Sequence, residues 1–507
     1  MRPIALATTN VFARTTSRLP FLPSLRRLVS IEAPVAVLSS AAMISESTAT
    51  APERHTAILP VDASRIGQII LKEGADFVLE DWDIELDQAS QGVKHLQLAA
   101  RQLRDSNIPV AFPTETVYGL GADATRSEAV KGIYKAKQRP SDNPLIVHFA
   151  SLRQLKDLLR GNANGPADGE LQDPIPAIYK PLIRKFWPGP LTIILPNPTD
   201  SVLAPEVTAG LTTFGARMPR NLLALVLLKL ANVPIAAPSA NASTKPSPTA
   251  AEHVKEDLNG RIDYILDGGP CDVGMESTVV DGLSDPPAIL RPGGISIEQV
   301  RQCEGWENVV VGYKDASEKG DSAPRAPGMK YRHYSPKAKV VLHEAGSKMP
   351  DIKSFVQTAD SGSSIGIIRT RNWPLGLGQT ELSSSPEGGN RSREAVSNGA
   401  PILVHKEIGS VAGSQITNQA VLQALANIIP TPRPVARQLS LAKCTIWDID
   451  LGATTEEIAR GLFWALRDLD RRGVDAIFVE GINDGEGDGD DAAVMNRLRK
   501  AAAVEIS

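Results

Sequence analysis

The feature that most restricts the fold of this chain is a regular alternation of short apolar runs and helical stretches that begins near residue 89. Leu96, Ala99, Ala100 and Leu103 recur at helical spacing, and the strand-like run Val110, Ala111, Phe112 follows at once. Further strand candidates are Leu145 to His148, Thr192 to Leu195, Thr213 to Arg217, Ile235 to Ala237, Tyr264 to Leu266, Thr278 to Val280 and Ala288 to Leu290. Short strands interleaved with helices imply one sizeable covered sheet, hence an α/β class. A second series, Val340 to Leu342, Ile365 to Ile368, Ile446 to Ile449 and Ala476 to Val479, flanks a helical pattern from Glu456 to Asp470 and predicts a smaller parallel-sheet domain. Residues 314–330 between them are charged and rich in Pro and Gly, the composition of a linker. With 507 residues the chain exceeds what one core usually organises. The expected division is an N-terminal extension over 1–60, a first domain over 61–312, a linker over 313–337 and a second domain over 338–507 with a disordered insert at 371–400.

Bulk properties narrow the function. A formal net charge of -4 provides no global field for polyanions, so strong nucleic-acid binding is not expected. No run approaches the ~18 apolar residues of a membrane span, so a soluble protein without a membrane partner is expected. Cys271, Cys303 and Cys444 are far apart and form no C-x-x-C pair, which argues against a disulfide framework and a thiolate zinc site and for a reducing compartment. Arg2, Arg14, Arg18, Arg26 and Arg27 precede the first acid, Glu32. That is the composition of a mitochondrial transit peptide and equally of a disordered basic tail. Met43 offers a second start, so a cytoplasmic protein with an additional mitochondrial form is the expectation.

Two adjoining motifs carry most of the chemistry. Thr114, Glu115, Thr116 and Tyr118 cluster hydroxyls and one carboxylate after a strand, a set suited to a small zwitterion. Gly119-x-Gly121-x-x-Ala124 also matches a loose dinucleotide fingerprint, but the polar residues between strand and glycines are foreign to that turn. Lys131, Lys135, Lys137 and Arg139 then close a helix, and Arg139-Pro and Asn143-Pro stiffen the chain leading to His148. Such fixed cationic and amide donors suit phosphate oxygens, although a basic helix face can equally be solvated. Ser239 and Asn241, Ser247 before a helix, Glu276 and Ser277 before a strand, and Arg217 and Arg291 closing strands extend the set, because ligands of open α/β sheets bind at strand ends. Near the C-terminus, Asp484-x-Glu486-x-Asp488-Gly489 has the look of a calcium loop, but Met495 occupies the position that needs a glutamate, so a solvated acidic loop is expected.

In order, PTETVYGLGADAT, KQRPSDNPLIVH, the Arg217-Met-Pro strand end, APSANAS with SPT, MESTVVD and ILRPGG resemble the threonylcarbamoyl-AMP synthase family, the YrdC-like proteins, in its long two-domain form. The linker element from Pro327 through Tyr331, Arg332, His333 and Tyr334, and the segment ARGLFWALRDLDRRGVDAIFVEG, extend the resemblance toward the C-terminus. It implies a YrdC-like open twisted mixed sheet with flanking helices, plus a smaller C-terminal Rossmann-like α/β domain. It further implies formation of threonylcarbamoyl-AMP and pyrophosphate from L-threonine, bicarbonate or CO2 and ATP, with Mg²⁺ accompanying ATP. The product would go to a transient tRNA-modifying complex. By the same resemblance Thr116, His148, Arg217, Ala237 and Ser277 contact threonine. Arg139, Asn143, Thr213, Ser239, Asn241, Ser247, Arg291 and Tyr331 surround ATP, Lys135, Lys137 and Arg139 carry the catalytic charge, and no protein metal site is implied. Tyr331 would fold over the pocket as a lid. A carbamoyltransferase with a YrdC-like domain and an RNA-binding module are the alternatives; the absence of C-x-x-C weighs against one of these and the acidic net charge against the other.

Overall fold

Short strands with both faces covered need nearly continuous apolar sequence, and the central runs of this chain have it: Val110–Phe112 and Ile146–His148 are buried at every residue. In the computed structural model they belong to an eleven-stranded mixed sheet. One half runs in the order Ala57–Pro60, Tyr264–Asp267, Val110–Phe112, Gly119–Asp123, Ile235–Ala236. The other continues with Ile146–His148, Thr213–Arg217, Leu191–Pro196, Thr278–Asp281, Ala288–Arg291 and Val310–Val311. The structure describes residues 54–72, 79–161, 173–313, 333–358, 362–379, 383–384, 432–485 and 491–507.

Amphipathic helices cover this sheet. Gln91–Asp105 buries Val93, Leu96, Ala99, Ala100 and Leu103, one stripe at intervals of three and four. Leu222–Ala231 is apolar nearly all round and correspondingly buried. The strand Ala57–Pro60 pairs in parallel with Tyr264–Asp267, so the sheet begins inside the stretch expected to be an extension. A hairpin of Gly67–Leu71 and Trp82–Leu86 stands apart from the large sheet.

A second, seven-stranded sheet has the order Ser383–Ser384, Arg437–Leu441, Cys444–Asp450, Ser364–Arg369, Ala476–Glu480, Lys339–His343, Val504–Ile506. Its five last-named strands pair in parallel, the Rossmann-like pattern. The long helix Thr455–Arg471 begins with a capping box in which Thr454 and Glu457 satisfy each other's backbone N–H groups. The insert expected from residue 371 starts later than the sequence suggests. Glu480 accepts backbone N–H bonds from Thr370, Asn372 and Trp373 and pins that segment to the sheet. The rest of the insert, apart from 371–379 and 383–384, lies outside the described residues, as do residues 1–53, linker residues 314–332 including Tyr331, and 486–490 of the acidic loop. Among the described residues, no helix is long and apolar enough to cross a membrane.

The two sheets share a boundary. Val117 and Met275 of the first half pack in one apolar cluster with Tyr334, Ile458, Leu462 and Phe463 of the second.

Candidate active site

The loop 113–118 joins the antiparallel strands Val110–Phe112 and Gly119–Asp123. Thr114 shapes it: its Oγ1 accepts from the N–H of Thr116 and Val117 and donates to Val117 O at 2.7 Å. That turn presents Glu115 to Arg217, whose Nη2 donates to Oε1 at 2.7 Å with both side chains buried. His148 is Arg217's partner across the neighbouring parallel strands. Thr192 Oγ1 lies 2.8 Å from Ser277 Oγ, and Arg291 Nη2 reaches that same hydroxyl at 3.0 Å. The structure thus gathers Thr116, His148, Arg217, Ser277 and Arg291. Ala237 is buried one strand away, its N–H bonded to Ile146 O.

Two atoms in this group, Glu115 Oε2 and His148 Nδ1, are buried without a hydrogen-bond partner among the described residues. Burial, reinforced by the charge of Arg217, pushes the His148 imidazolium down to about 3, so the ring is neutral at working pH. A neutral ring nitrogen and a carboxylate oxygen accept hydrogen bonds, and threonine's ammonium and hydroxyl donate them.

The glycines between these motifs have a packing role. Gly119 and Gly121 lie inside a strand rather than in a phosphate-binding turn. A Cβ on Gly121 would come within 2.7 Å of Phe112 Cε1 and 2.9 Å of Ile235 Cγ2. Space for Phe112 explains the glycine spacing that imitates a dinucleotide fingerprint.

A cationic group adjoins. Helix Ser127–Lys137 ends at Gln138 in the left-handed conformation, φ 52°, which turns half-buried Arg139 off the helix. Lys137 is buried, and its Nζ donates to Ser239 O and, at 2.7 Å, to Asn241 O. Burial, with Arg139 next, pushes its ammonium well below the usual lysine range. Ser239 Oγ donates to Asn241 Oδ1 at 2.6 Å, so the K-x-R and S-x-N motifs are tied into one unit. Asn143 is buried with Oδ1 unpartnered among the described residues. Lys135 is exposed, as expected two positions from a buried helical residue. Thr213 does not join the group: it begins the strand that Arg217 ends, about 13 Å away along that strand, and lines a different cavity with Asp281 and Leu290.

Ser247 Oγ donates to Glu276 Oε1 at 2.6 Å, and Arg497 of the second sheet's domain donates through Nε to Oε2 at 3.1 Å. Burial would raise the Glu276 carboxyl, but Arg497, Arg291 and the Ser247 hydroxyl overcome it and hold it at about 2. Tyr334 packs against Phe463 and His333, with ring centroids 5.1 and 4.3 Å apart. Its phenol, pushed upward by burial, interacts with Glu276. Tyr334 and Arg497 thus stand beside Glu276, whereas Tyr331 lies outside the described residues. Arg497 lies in the helix Ala492–Ala501, which is buried at every residue from Ala492 through Leu498, an unusual place for an arginine.

Acid sensitivity follows from these groups. Burial is the first cause that holds His148, His253 and His333 down at about 3, 2 and 3, with arginines or lysines adding to it in each case. Unfolded histidines protonate near ~6.5, so these three contribute stability that is complete above that pH and is lost as pH falls toward 3. Glu276 acts in the same sense between ~4.3 and about 2. Urea unfolding midpoints are expected to be lower at pH 5 than at pH 7.5; equal midpoints would contradict the buried neutral histidines.

A family model described as "Telomere recombination", for the Sua5, YciO and YrdC proteins, matches residues 102–293. A second, "Threonylcarbamoyl-AMP synthase, C-terminal domain", matches residues 295–503. The chain is 44% identical to a threonylcarbamoyl-AMP synthase of Schizosaccharomyces pombe over 81% of this chain and 88% of that protein. It is 48% identical to the Bacillus subtilis protein of the same name over 57% and 78% of the respective chains. Among solved structures, P. abyssi Sua5 complexed with L-threonine covers 89% of this chain and is itself covered in full, with 34% identity and a TM-score of 0.59.

Proposed function

The chain belongs to the threonylcarbamoyl-AMP synthase family, and from that premise we propose that its first domain forms threonylcarbamoyl-AMP and pyrophosphate from L-threonine, bicarbonate or CO2, and ATP. The observation that carries the reading is the junction at Ser277: its hydroxyl touches both Thr192, on the strand paired with that of Arg217, and Arg291, beside Glu276, so the groups proposed for the amino acid and for the nucleotide meet there. Arg217 would take threonine's carboxylate, and Glu115 Oε2 and His148 Nδ1 its ammonium and hydroxyl. The ammonium would give one proton to water, and as the freed amine adds to CO2 the nitrogen would give up a second to water, leaving a carbamate. A carbamate oxygen then attacks the α-phosphorus, its P–O bond forms, and the bond to pyrophosphate breaks with the electron pair leaving on oxygen.

Arg139 and Arg291 would neutralise charge on the phosphates as it shifts, which is how positioned cations speed phosphoryl transfer without a protein nucleophile. Mg²⁺ would enter bound to the triphosphate and help neutralise it; both carboxylate oxygens of Glu276 are already engaged by Ser247 and Arg497, which suits an ion carried by phosphate oxygens rather than by a protein cage. Tyr334, buried in one cluster with Val117 and Met275, would help to keep the short-lived carbamate from water. The adenylate would pass to a tRNA-modifying partner. To test the reading, pyrophosphate release is measured with ATP, Mg²⁺, bicarbonate and each amino acid in turn. Strong dependence on threonine is expected, and release independent of the amino acid would defeat the proposal.

A further inference from the structure

We propose that Arg497, which belongs to the second domain, binds a phosphate oxygen of ATP in the first domain's pocket, so that the nucleotide site is complete only with both domains docked. The inference rests on the function proposed above and extends it to a residue outside the catalytic domain.

The hydrogen bonding of Arg497 is that of a group with a donor held in reserve. The side chain is 1% exposed. Its Nε donates to Glu276 Oε2, and Nη1 to Pro292 O at 2.6 Å, whereas Nη2 is buried with no partner among the described residues. Leaving a charged donor idle in the interior is unfavourable, and native structures rarely do so without a reason. Arg467, on the helix Thr455–Arg471, shows the purely structural alternative. Its Nε, Nη1 and Nη2 are all engaged, by Pro246 O and the carboxylate of Asp257. Nε and Nη2 leave the same edge of a planar guanidinium, so the idle donor of Arg497 lies on the Glu276 side.

Charge points to the ligand. Arg291 and Arg497 both act on the single carboxylate Glu276, and Tyr334 stands among them with its ring 5.9 Å from the Arg497 guanidinium. Arg139 acts on that same phenol. Two buried guanidinium groups thus face one carboxylate, with Arg139 near the adjoining phenol, an excess of positive charge that a triphosphate would neutralise. Glu276 links Arg497 to Ser247 on the cationic side, while the amino-acid pocket has its own arginine, Arg217.

Arg497→Lys keeps the charge and one bond to Glu276 but removes the second arm. The Michaelis constants for ATP, threonine and bicarbonate are measured for this variant, for the neutral pair E276Q/R497Q, and for Arg467→Lys as a docking control. In both Arg497 variants the constant for ATP is expected to rise by about tenfold or more, with those for threonine and bicarbonate within about twofold. Calorimetric titration with a non-hydrolysable ATP analogue should show the same loss. The docking control is expected to melt earlier, yet at an assay temperature well below its melting range, where the domains stay docked, its ATP constant remains within about twofold of wild type. An unchanged ATP constant in R497K, a selective rise for bicarbonate, a parallel rise for all three substrates, or the same ATP-selective loss in the docking control would overturn the assignment. Absence of threonine-dependent turnover in the wild type would instead defeat the underlying reading, and the titration would still report on Arg497.

Discussion

Arg139→Ala is expected to lower threonine-dependent pyrophosphate release by about two to three orders of magnitude while leaving the protein folded. The position makes this separation feasible. Arg139 follows the left-handed Gln138, and its own backbone N–H is bonded to Tyr134 O at 3.0 Å, a contact that alanine retains. Only the guanidinium is lost. Lys137, by contrast, is embedded, with its ammonium holding Ser239 O and Asn241 O. Its removal would leave buried carbonyls unsatisfied and mix a stability loss with any chemical one. Steady-state turnover of R139A beside its melting curve checks the expectation, and wild-type turnover in a folded R139A protein would remove Arg139 from the reaction.

Asp257→Ala is expected to destabilise the protein by about 3–5 kcal/mol, read from urea unfolding. Its side chain is fully buried and accepts from Arg467 Nη2 at 2.8 Å, Lys245 Nζ at 2.9 Å and Ala242 N at 3.1 Å. Arg467 is 5% exposed at its side chain, so deletion of the carboxylate strands a buried charge exactly where the domains meet the S-x-N loop. Burial raises the Asp257 carboxyl, but the bonds and charges of Arg467 and Lys245 prevail and keep it ionised. Arg467→Met with Asp257→Leu, which removes both charges, should recover much of the loss. A midpoint for D257A equal to wild type would show that this pair does not hold the domains together.

Much of the fold is legible in local patterns, and the failures have physical causes. Val110–Phe112 and Thr213–Arg217 have the bounds expected from the sequence. Both are short central strands whose neighbours bury them on each face. Gly119–Asp123 was hidden because two of its five residues are glycines, which signal a turn in sequence but here make room for Phe112. Ala57–Pro60 and Val504–Ile506 are edge strands with exposed residues, so they lack the apolar signature of the centre. Hydroxyl and guanidinium groups next to strands marked the neighbourhoods of Arg217, Ser277 and Arg291. What sequence could not give is which distant groups meet: Glu115 with Arg217, and Glu276 with Arg497, are separated by 102 and 221 positions. The packing of Tyr334 against Phe463 likewise joins positions far apart in the chain.

The central claim is that one pocket joins threonine, one-carbon and nucleotide chemistry. It is tested most directly by incubating the protein with labelled bicarbonate, threonine and ATP and isolating the nucleotide product. Label recovered in an adenylate that also contains threonine, in equal proportion to released pyrophosphate and absent when threonine is omitted, is the expected result. Pyrophosphate release without transfer of label to a nucleotide would contradict it.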